Sequence, residues 1–589
     1  MPSRHHVAVA GLAVLVSLAG LTGTKVAAAG QETAAAGPVA QTGAGSSHQP
    51  TAGIGPVVSG DGHGGRPGAG ATLGPLIGDK ERPNIVVIMA DDMRDDDVKY
   101  MPNVQRLIGD QGVRFVNSFS PQPLCCPARA SFDTGEYTHN HGVWSHADPW
   151  GFQVFHDRNT LPVWLSRVGY NTVFFGKYLN GYGRQPLPDG SSSVRYVPPG
   201  WTDWRGSIDG GALPPDDPRN GGTYRYFDMT LNDNGTLEPH PGEYSTRMLG
   251  RQAEEILRQY ALSPRPFFLW ASYVAPHHGT PIEPDDPGEL VRSDGKSEFI
   301  HTPARPADVV GKFDSEITHA PGYRGEPDVS DKPFFIRDNP PMTEEEKQAV
   351  LEDTRQRAES LAVLDEQVGK MVDVLKETGQ LDNTYVVFTS DNGYFQGEHR
   401  MRQGKILPYE PSLRVPTLIR GPGIPAGQTR QDPFTMIDFA PTFLDMAGAQ
   451  PEPSIDGVSM LDVAEHGDQG WDRGILTETG PRAVAYDVGE SDNFLVPSED
   501  DSRFMHRPEG PSPLRFSQGV RTPDYLYVEH ASREQELYDL RTDPGELHSV
   551  VDRKSERHVV RLLARELDRL RECKGSECAR PLPKTLRGP

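Results

Sequence analysis

The chain has 589 residues and a formal net charge of −23, a field that repels polyanions and excludes a general nucleic-acid or anionic-membrane binder. Hydrophobic residues at 36% over that length supply a large buried core, which excludes disorder of the whole chain. Four cysteines are too few for a disulfide scaffold, and 62 glycines with 54 prolines signal many loops.

At the N-terminus Arg4, His5 and His6 precede an apolar run from Val7 to Leu21, and Ala27, Ala28 and Ala29 are small enough for cleavage. The run is shorter than the roughly 20 apolar residues that span a bilayer. Residues 1–29 therefore read as a secretory signal peptide cleaved near Ala29, giving a secreted, extracellular product with no stable membrane insertion. Residues 30–80 are rich in Gly, Ala and Pro, and the first aromatic residue of the chain is Tyr100, so this stretch reads as a flexible leader.

Continuous apolar runs at residues 84–90, 171–175, 266–270, 384–388 and 415–419 predict strands buried on both faces. A helical stretch at 103–112 follows the first, and a long helix over 343–378 feeds the fourth, with Thr343 and Glu346 spaced as a capping box. The fold class is thus α/β, an α/β/α sandwich. Residues 181–244 and 280–342, crowded with Pro, Gly and Asp, read as long loops over one face. After residue 457 come hairpin-like pieces at 474–477 and 525–528, then an amphipathic helix over 556–571, which predicts a catalytic domain at 81–457 and a small α+β domain at 458–589.

The first strand ends in Asp91-Asp92 and the fourth in Ser390-Asp391-Asn392-Gly393. In an open α/β sheet the carboxyl ends of strands face the ligand crevice. Hard oxygens from two strands meeting there suit Ca²⁺ or Mg²⁺ rather than zinc, although either pair alone is also an ordinary cap or turn. Pro127 suits the first turn of a helix running to Gly135, which puts Cys125 at its N-terminus, where dipole and amides favour an anionic nucleophile or a bound anion. A vicinal disulfide or a buried thiol pair is the plainer reading of Cys125-Cys126. Cys573 and Cys578 are close enough in sequence to form a structural disulfide with each other.

Cys125-x-Pro127-x-Arg129 followed by Thr134-Gly135 resembles the signature of the type I sulfatases, whose cysteine is oxidised during export to Cα-formylglycine. In family order follow Phe175-Gly176-Lys177, Ala275-Pro276-His277, Thr389 to Gly393, Gly397-Glu398-His399, Gly404-Lys405, Tyr409-Glu410, and near the end Glu536 to Leu540 with Asp543-Pro544. The wording around Lys177-Tyr178-Leu179-Asn180 and Pro199-Gly200-Trp201 looks most like the N-acetylglucosamine-6-sulfatase branch.

The resemblance implies an alkaline-phosphatase-like sandwich with a mostly parallel sheet, and one Ca²⁺, with Mg²⁺ second, on Asp91, Asp92, Asp391, Asn392 and the modified Cys125. One hydroxyl of the hydrated aldehyde attacks sulfur and the other expels sulfate by C–O cleavage. Arg129 then holds the nucleophile's oxygen, Lys177 and Lys405 neutralise the sulfuryl oxygens, and His277 protonates the leaving alcohol. The implied partners are a formylglycine-generating enzyme and a small-molecule or oligosaccharide sulfate ester. Many sulfatases carry a His where this sequence has Leu179, so the base that triggers sulfate release is unassigned; His139, His141 and His399 are candidates, of which His139 reads rather as a surface imidazole. Two alternatives remain: a phosphomonoester or phosphonate hydrolase, which would favour His at the position of Asn392, and a non-catalytic binder of sulfated glycans with Cys125 unmodified.

Overall fold

The computed structural model describes residues 82–146, 150–480 and 517–587, so the expected signal peptide and leader lie outside the described residues. Strand β1 (Asn84–Ala90) is buried at every position, because parallel neighbours on each side leave both of its faces to be covered by helices. It lies near the middle of a ten-stranded sheet with β2 (Val113–Phe115), β3 (Asn171–Lys177), β4 (Asp203–Ser207), β5 (Asp228–Asp233), β6 (Thr236–Pro241), β7 (Phe267–Ser272), β8 (Thr384–Ser390), β9 (Thr417–Arg420) and β10 (Gln428–Arg430). The strand order is β10-β2-β9-β8-β1-β7-β3-β4-β5-β6. From β8 to β4 the strands are parallel, and antiparallel partners flank them at β9 and β5.

Side-chain parity along β1 divides the core. Ile85, Val87 and Met89 pack with α1 (Cys125–Thr134) and α4 (Phe439–Met446), whereas Val86, Ile88 and Ala90 pack with α2 (Ser245–Ala261) and α3 (Glu344–Glu377). The result is the expected α/β/α sandwich. Helix α3 begins at the expected capping box: the Glu346 N–H donates to Thr343 Oγ1 at 3.1 Å and the Thr343 N–H to Glu346 Oε2 at 2.7 Å.

The stretch 181–244 departs from expectation. It is not only loop, because β4, β5 and β6 extend the sheet there. Their residues, such as Asp-Trp-Arg-Gly-Ser and Thr-Leu-Glu-Pro-His-Pro, lack a continuous apolar run; strands toward a sheet edge are covered less and tolerate Pro and Gly. The strand expected at 415–419 starts only at Thr417, after Pro416, and runs antiparallel to β8. The helix expected at 103–112 is a single turn, Pro102–Val104, that continues as a π-turn over Gln105–Gly109.

The C-terminal part is a separate four-stranded antiparallel sheet, β11 (Ile475–Thr479), β12 (Ser517–Arg521), β13 (Tyr525–His530) and β14 (Gln535–Asp539), paired in chain order. Helix α5 (Arg557–Leu570) lays Leu563, Leu567 and Leu570, spaced on one helical face, against Val520, Tyr527 and Leu537. Cys573 and Cys578 form the expected disulfide.

Gly176 shows how tightly the sheet constrains the residue after it. Its φ is +94°, and an added Cβ would sit 1.8 Å from the Ser272 carbonyl oxygen of β7. Gly176→Ala is expected to lower stability by at least about 1–3 kcal/mol from backbone strain alone and to displace Lys177, so that thermal unfolding shifts down together with activity. An unchanged melting temperature would contradict this.

Candidate active site

The carboxyl ends of β1, β3 and β8, the loop after β7 and the N-terminus of α1 meet at one buried centre. Asp92 takes a left-handed backbone, φ 63°, which turns the chain directly after β1 and is a conformation Asp tolerates better than most residues. Two contacts hold that turn: the Asp92 N–H donates to Asp391 Oδ1 at 3.1 Å, and Arg357 Nη2 donates to the Asp92 carbonyl. Helix α1 starts at Cys125, with Pro127 in the first turn where its missing N–H costs nothing, and ends at Gly135, φ +70°.

Cys125 Sγ lies 3.4 Å from Asp91 Oδ1, 3.8 Å from Asp92 Oδ1 and 2.8 Å from Lys405 Nζ. Lys405 Nζ also contacts Asp92 Oδ1 at 2.5 Å, and Lys177 Nζ contacts Asp91 Oδ2 at 2.5 Å. Arg129 Nε donates to Asp391 Oδ2 at 2.8 Å, and its Nη1 donates to the Lys177 carbonyl and to Ser272 Oγ. Asn392 Nδ2 donates to Asp92 Oδ1 at 2.7 Å. His277 Nδ1 donates to the His278 carbonyl at 2.7 Å, which turns Nε2 toward Asp92 Oδ2, 3.6 Å away. Every side chain in this set is buried.

Three carboxylates thus share a buried volume with three fixed cations. Burial works to raise the Asp91 carboxyl, but Lys177, His277 and Arg129 outweigh it and hold the group well below the usual carboxylate range. For Asp391 the balance is opposite: burial and the charge of Asp91 push it up to about 6, against Arg129. Burial, aided by Asp91, raises the Cys125 thiol far above its ordinary value, so the unmodified thiol stays protonated and is a weak nucleophile. Burial opposes the charge on Lys405, yet Asp92, with Asp91 behind it, keeps it firmly protonated.

Asp91, Asp92, Cys125 and His277 each place a ligand atom within 4.8 Å of the others. Asp391 spends one oxygen on Arg129 and the other on the N–H groups of Asp92 and Asn392. Asp92 Oδ2 and Asn392 Oδ1 are buried acceptors with no hydrogen-bond donor. A divalent cation satisfies such oxygens, so the donor set fits a hard metal ion.

The three histidines weighed as the missing base have their contacts elsewhere. His141 Nε2 meets Ser131 Oγ at 3.0 Å, and His399 pairs with Glu326 at 2.9 Å. His139 is not a surface imidazole: Nδ1 contacts Glu478 at 3.1 Å and Nε2 the Cys573 carbonyl at 2.9 Å, because the C-terminal part packs over it. Leu179 is a core residue. Two residues that sequence reasoning missed support the site. Tyr224 stacks on His277 with ring centres 4.4 Å apart and lies 4.8 Å below Lys177 Nζ. Arg357, besides holding Asp92, donates to the Pro276 carbonyl. The spacing of Asp353 to Arg357 on α3 looks like a surface i,i+4 pair, so only burial reveals the role of Arg357.

A family model described as Sulfatase matches residues 83–449. The chain belongs to the sulfatase family. An arylsulfatase of Volvox carteri is 33% identical over 528 residues, 85% of this chain and 76% of the relative. The N-acetylglucosamine-6-sulfatase of Homo sapiens is 29% identical over 524 residues, 85% and 86% of the two chains. An extracellular sulfatase homologue of Drosophila melanogaster is 32% identical but only 34% of its length is covered. A solved structure described in complex with its substrate D-glucosamine-2-N,6-O-disulfate superposes with a TM-score of 0.57 at 22% identity, covering 83% of this chain and 97% of that one. A phosphonate monoester hydrolase of Agrobacterium radiobacter shares the fold as well, with a TM-score of 0.56 at 24% identity over 83% and 95% of the two chains. These relatives make this sulfatase a hydrolase of sulfate esters. No described helix is long and apolar enough to cross a membrane.

The His399 cluster yields a pH prediction. Burial opposes its charge, but Glu326 and Glu546 raise it to about 9 from an ordinary value of 6.5. A raised histidine stabilises the fold fully below about pH 6.5 and loses that contribution as pH rises through about 9, a few kcal/mol in all. Glu546, pushed up to about 7 by burial and by the charge of Glu410, adds a loss in the same direction. His399→Gln should flatten the fall in unfolding free energy between pH 6.5 and 9; an unchanged slope would refute the assignment.

Proposed function

We propose that this sulfatase acts outside the cell on sulfate monoesters of a sugar or aryl alcohol, with a Cα-formylglycine made from Cys125 and one divalent cation, Ca²⁺ ahead of Mg²⁺. The observation that carries the reading is the setting of Cys125: first residue of α1, 2.8 Å from Lys405 Nζ and 3.4 Å from Asp91 Oδ1, with a thiol too well protonated to serve as it stands. The modification is assigned to a formylglycine-generating enzyme that meets the chain during export. It would supply an aldehyde whose hydrate, formed by addition of one water, carries two hydroxyls on one carbon, one to attack sulfur and one to let sulfate leave afterwards. The cation would be held by Asp91, Asp92, Asp391, Asn392 and the modified residue, and would polarise sulfuryl oxygens.

The chain's own groups then divide the work. Lys405 bridges Asp92 and position 125, so its ammonium neutralises charge on an oxygen at that position. Lys177, held by Asp91, and Arg129, held by Asp391, present further positive charge that needs no reorganisation as sulfate charge redistributes. His277, fixed through Nδ1, presents Nε2 as the atom able to protonate a leaving alcohol, while Tyr224 stacks on its ring and limits its tilt. Asn392 favours the sulfuryl reading over the phosphoryl one, since its amide offers a hard oxygen where that alternative expects a metal-binding imidazole nitrogen.

Peptide mass spectrometry of secreted protein should show the loss of thiol at Cys125 and not at Cys126. Cys125→Ser should fold but complete no more than one turnover per chain, because a serine sulfate has no second hydroxyl; sustained turnover would overturn the mechanism. Chelation should abolish activity, and added Ca²⁺ should restore it better than Mg²⁺; full activity in metal-free protein would remove the cation from the reading.

A further inference from the structure

A cavity of about 220 Å³ opens beside the buried centre. Tyr224 and His278 line it, and each also stacks on His277, with ring centres 4.4 and 4.3 Å away. The cavity therefore begins one ring's thickness from the proposed proton donor. Its farther walls are His301, 5.7 Å from the His278 ring centre, and Phe299, 6.3 Å from that of His301. Ile282, 85% exposed, and Phe299, 48% exposed, form an apolar rim left uncovered among the described residues.

The charge of the lining is one-sided. No Lys or Arg belongs to it, and its carboxylate is Asp286, held in place by Thr302 Oγ1 at 2.9 Å and the Glu283 N–H at 2.7 Å. A second sulfate or a carboxylate seated here would face Asp286 with no Lys or Arg in the lining to offset the repulsion. A neutral ring meets aromatic and aliphatic walls instead.

We propose that this cavity seats the alcohol half of the ester and selects an uncharged ring, so that monosulfated esters of neutral ring alcohols are accepted and esters bearing a second anion on that ring are rejected. The inference rests on the sulfatase reading of the centre and adds its leaving-group specificity. Phe299 and His301 supply the contact faces, and Asp286 supplies the exclusion.

The test pairs phenyl sulfate with 4-carboxyphenyl sulfate, which differ by one carboxylate. In the wild type kcat/KM should favour phenyl sulfate by at least about tenfold, beyond what leaving-group reactivity gives in solution. Asp286→Asn should narrow that ratio. Phe299→Ala should raise KM for phenyl sulfate several-fold with little change in kcat and no change in inhibition by inorganic sulfate, and Phe299→Trp should restore it. Equal kcat/KM for the two rings in the wild type, or a Phe299→Ala effect that appears equally on sulfate inhibition, overturns the proposal. If the protein hydrolyses neither ester, the cavity is judged by saturation-transfer NMR with phenol: binding lost in Phe299→Ala supports the neutral-ring site, and binding unaffected by it, or absent, overturns it; only if sugar sulfates are left intact as well has the proposed function failed.

Discussion

Three carboxylates at the ends of two parallel strands can be buried only because three cations are buried with them. Removing one ion from water costs several kcal/mol even after relaxation, and deleting one partner of a buried pair typically costs about 3–5 kcal/mol because the other is left uncompensated. Arg129 on Asp391, Lys177 on Asp91 and Lys405 on Asp92 are therefore mutually dependent. They come from α1, the end of β3 and a loop after β8, so the charge balance fixes how these elements register against β1. Chemistry and architecture share one set of contacts.

The same balance explains what the site can do without moving. Donors already neutralised by Asp91, Asp92 and Asp391 are oriented before any substrate arrives, and an anionic ester enters a place where positive charge is fixed rather than recruited. Arg357 and Tyr224 extend this rigidity outward, one by holding the backbone of Asp92 and Pro276, the other by stacking on His277.

Much of this was legible from residues alone. Buried parallel strands such as 84–90 and 384–390 have continuous apolar runs, and Thr343 with Glu346 marks a helix start by its hydrogen-bonding chemistry. The acid pairs follow those strands directly, so their convergence could be read from topology. The strands at 203–207, 228–233 and 236–241 could not, because their pairing supplies order that their composition does not advertise. Tyr224 and Arg357 were hidden for a related reason: each becomes functional through burial beside a residue far away in sequence. His139 was misread because the residues covering it arrive more than three hundred positions later.

That last contact reaches further than one histidine. The short segment after α1 is gripped from the far end of the chain: the Tyr137 N–H and Asn140 Nδ2 donate to Asp456 Oδ2, the Gly575 N–H donates to Asp456 Oδ1, and Asn140 Nδ2 and His139 Nε2 meet the carbonyl of Cys573, itself tied to Cys578. A fragment truncated after the large sheet would keep every side chain named at the reactive centre and lose the clamp on the helix that carries Cys125. The C-terminal part is thus a splint for the helix that carries Cys125, and a minimal enzyme built by trimming it away would be shortened at the wrong end.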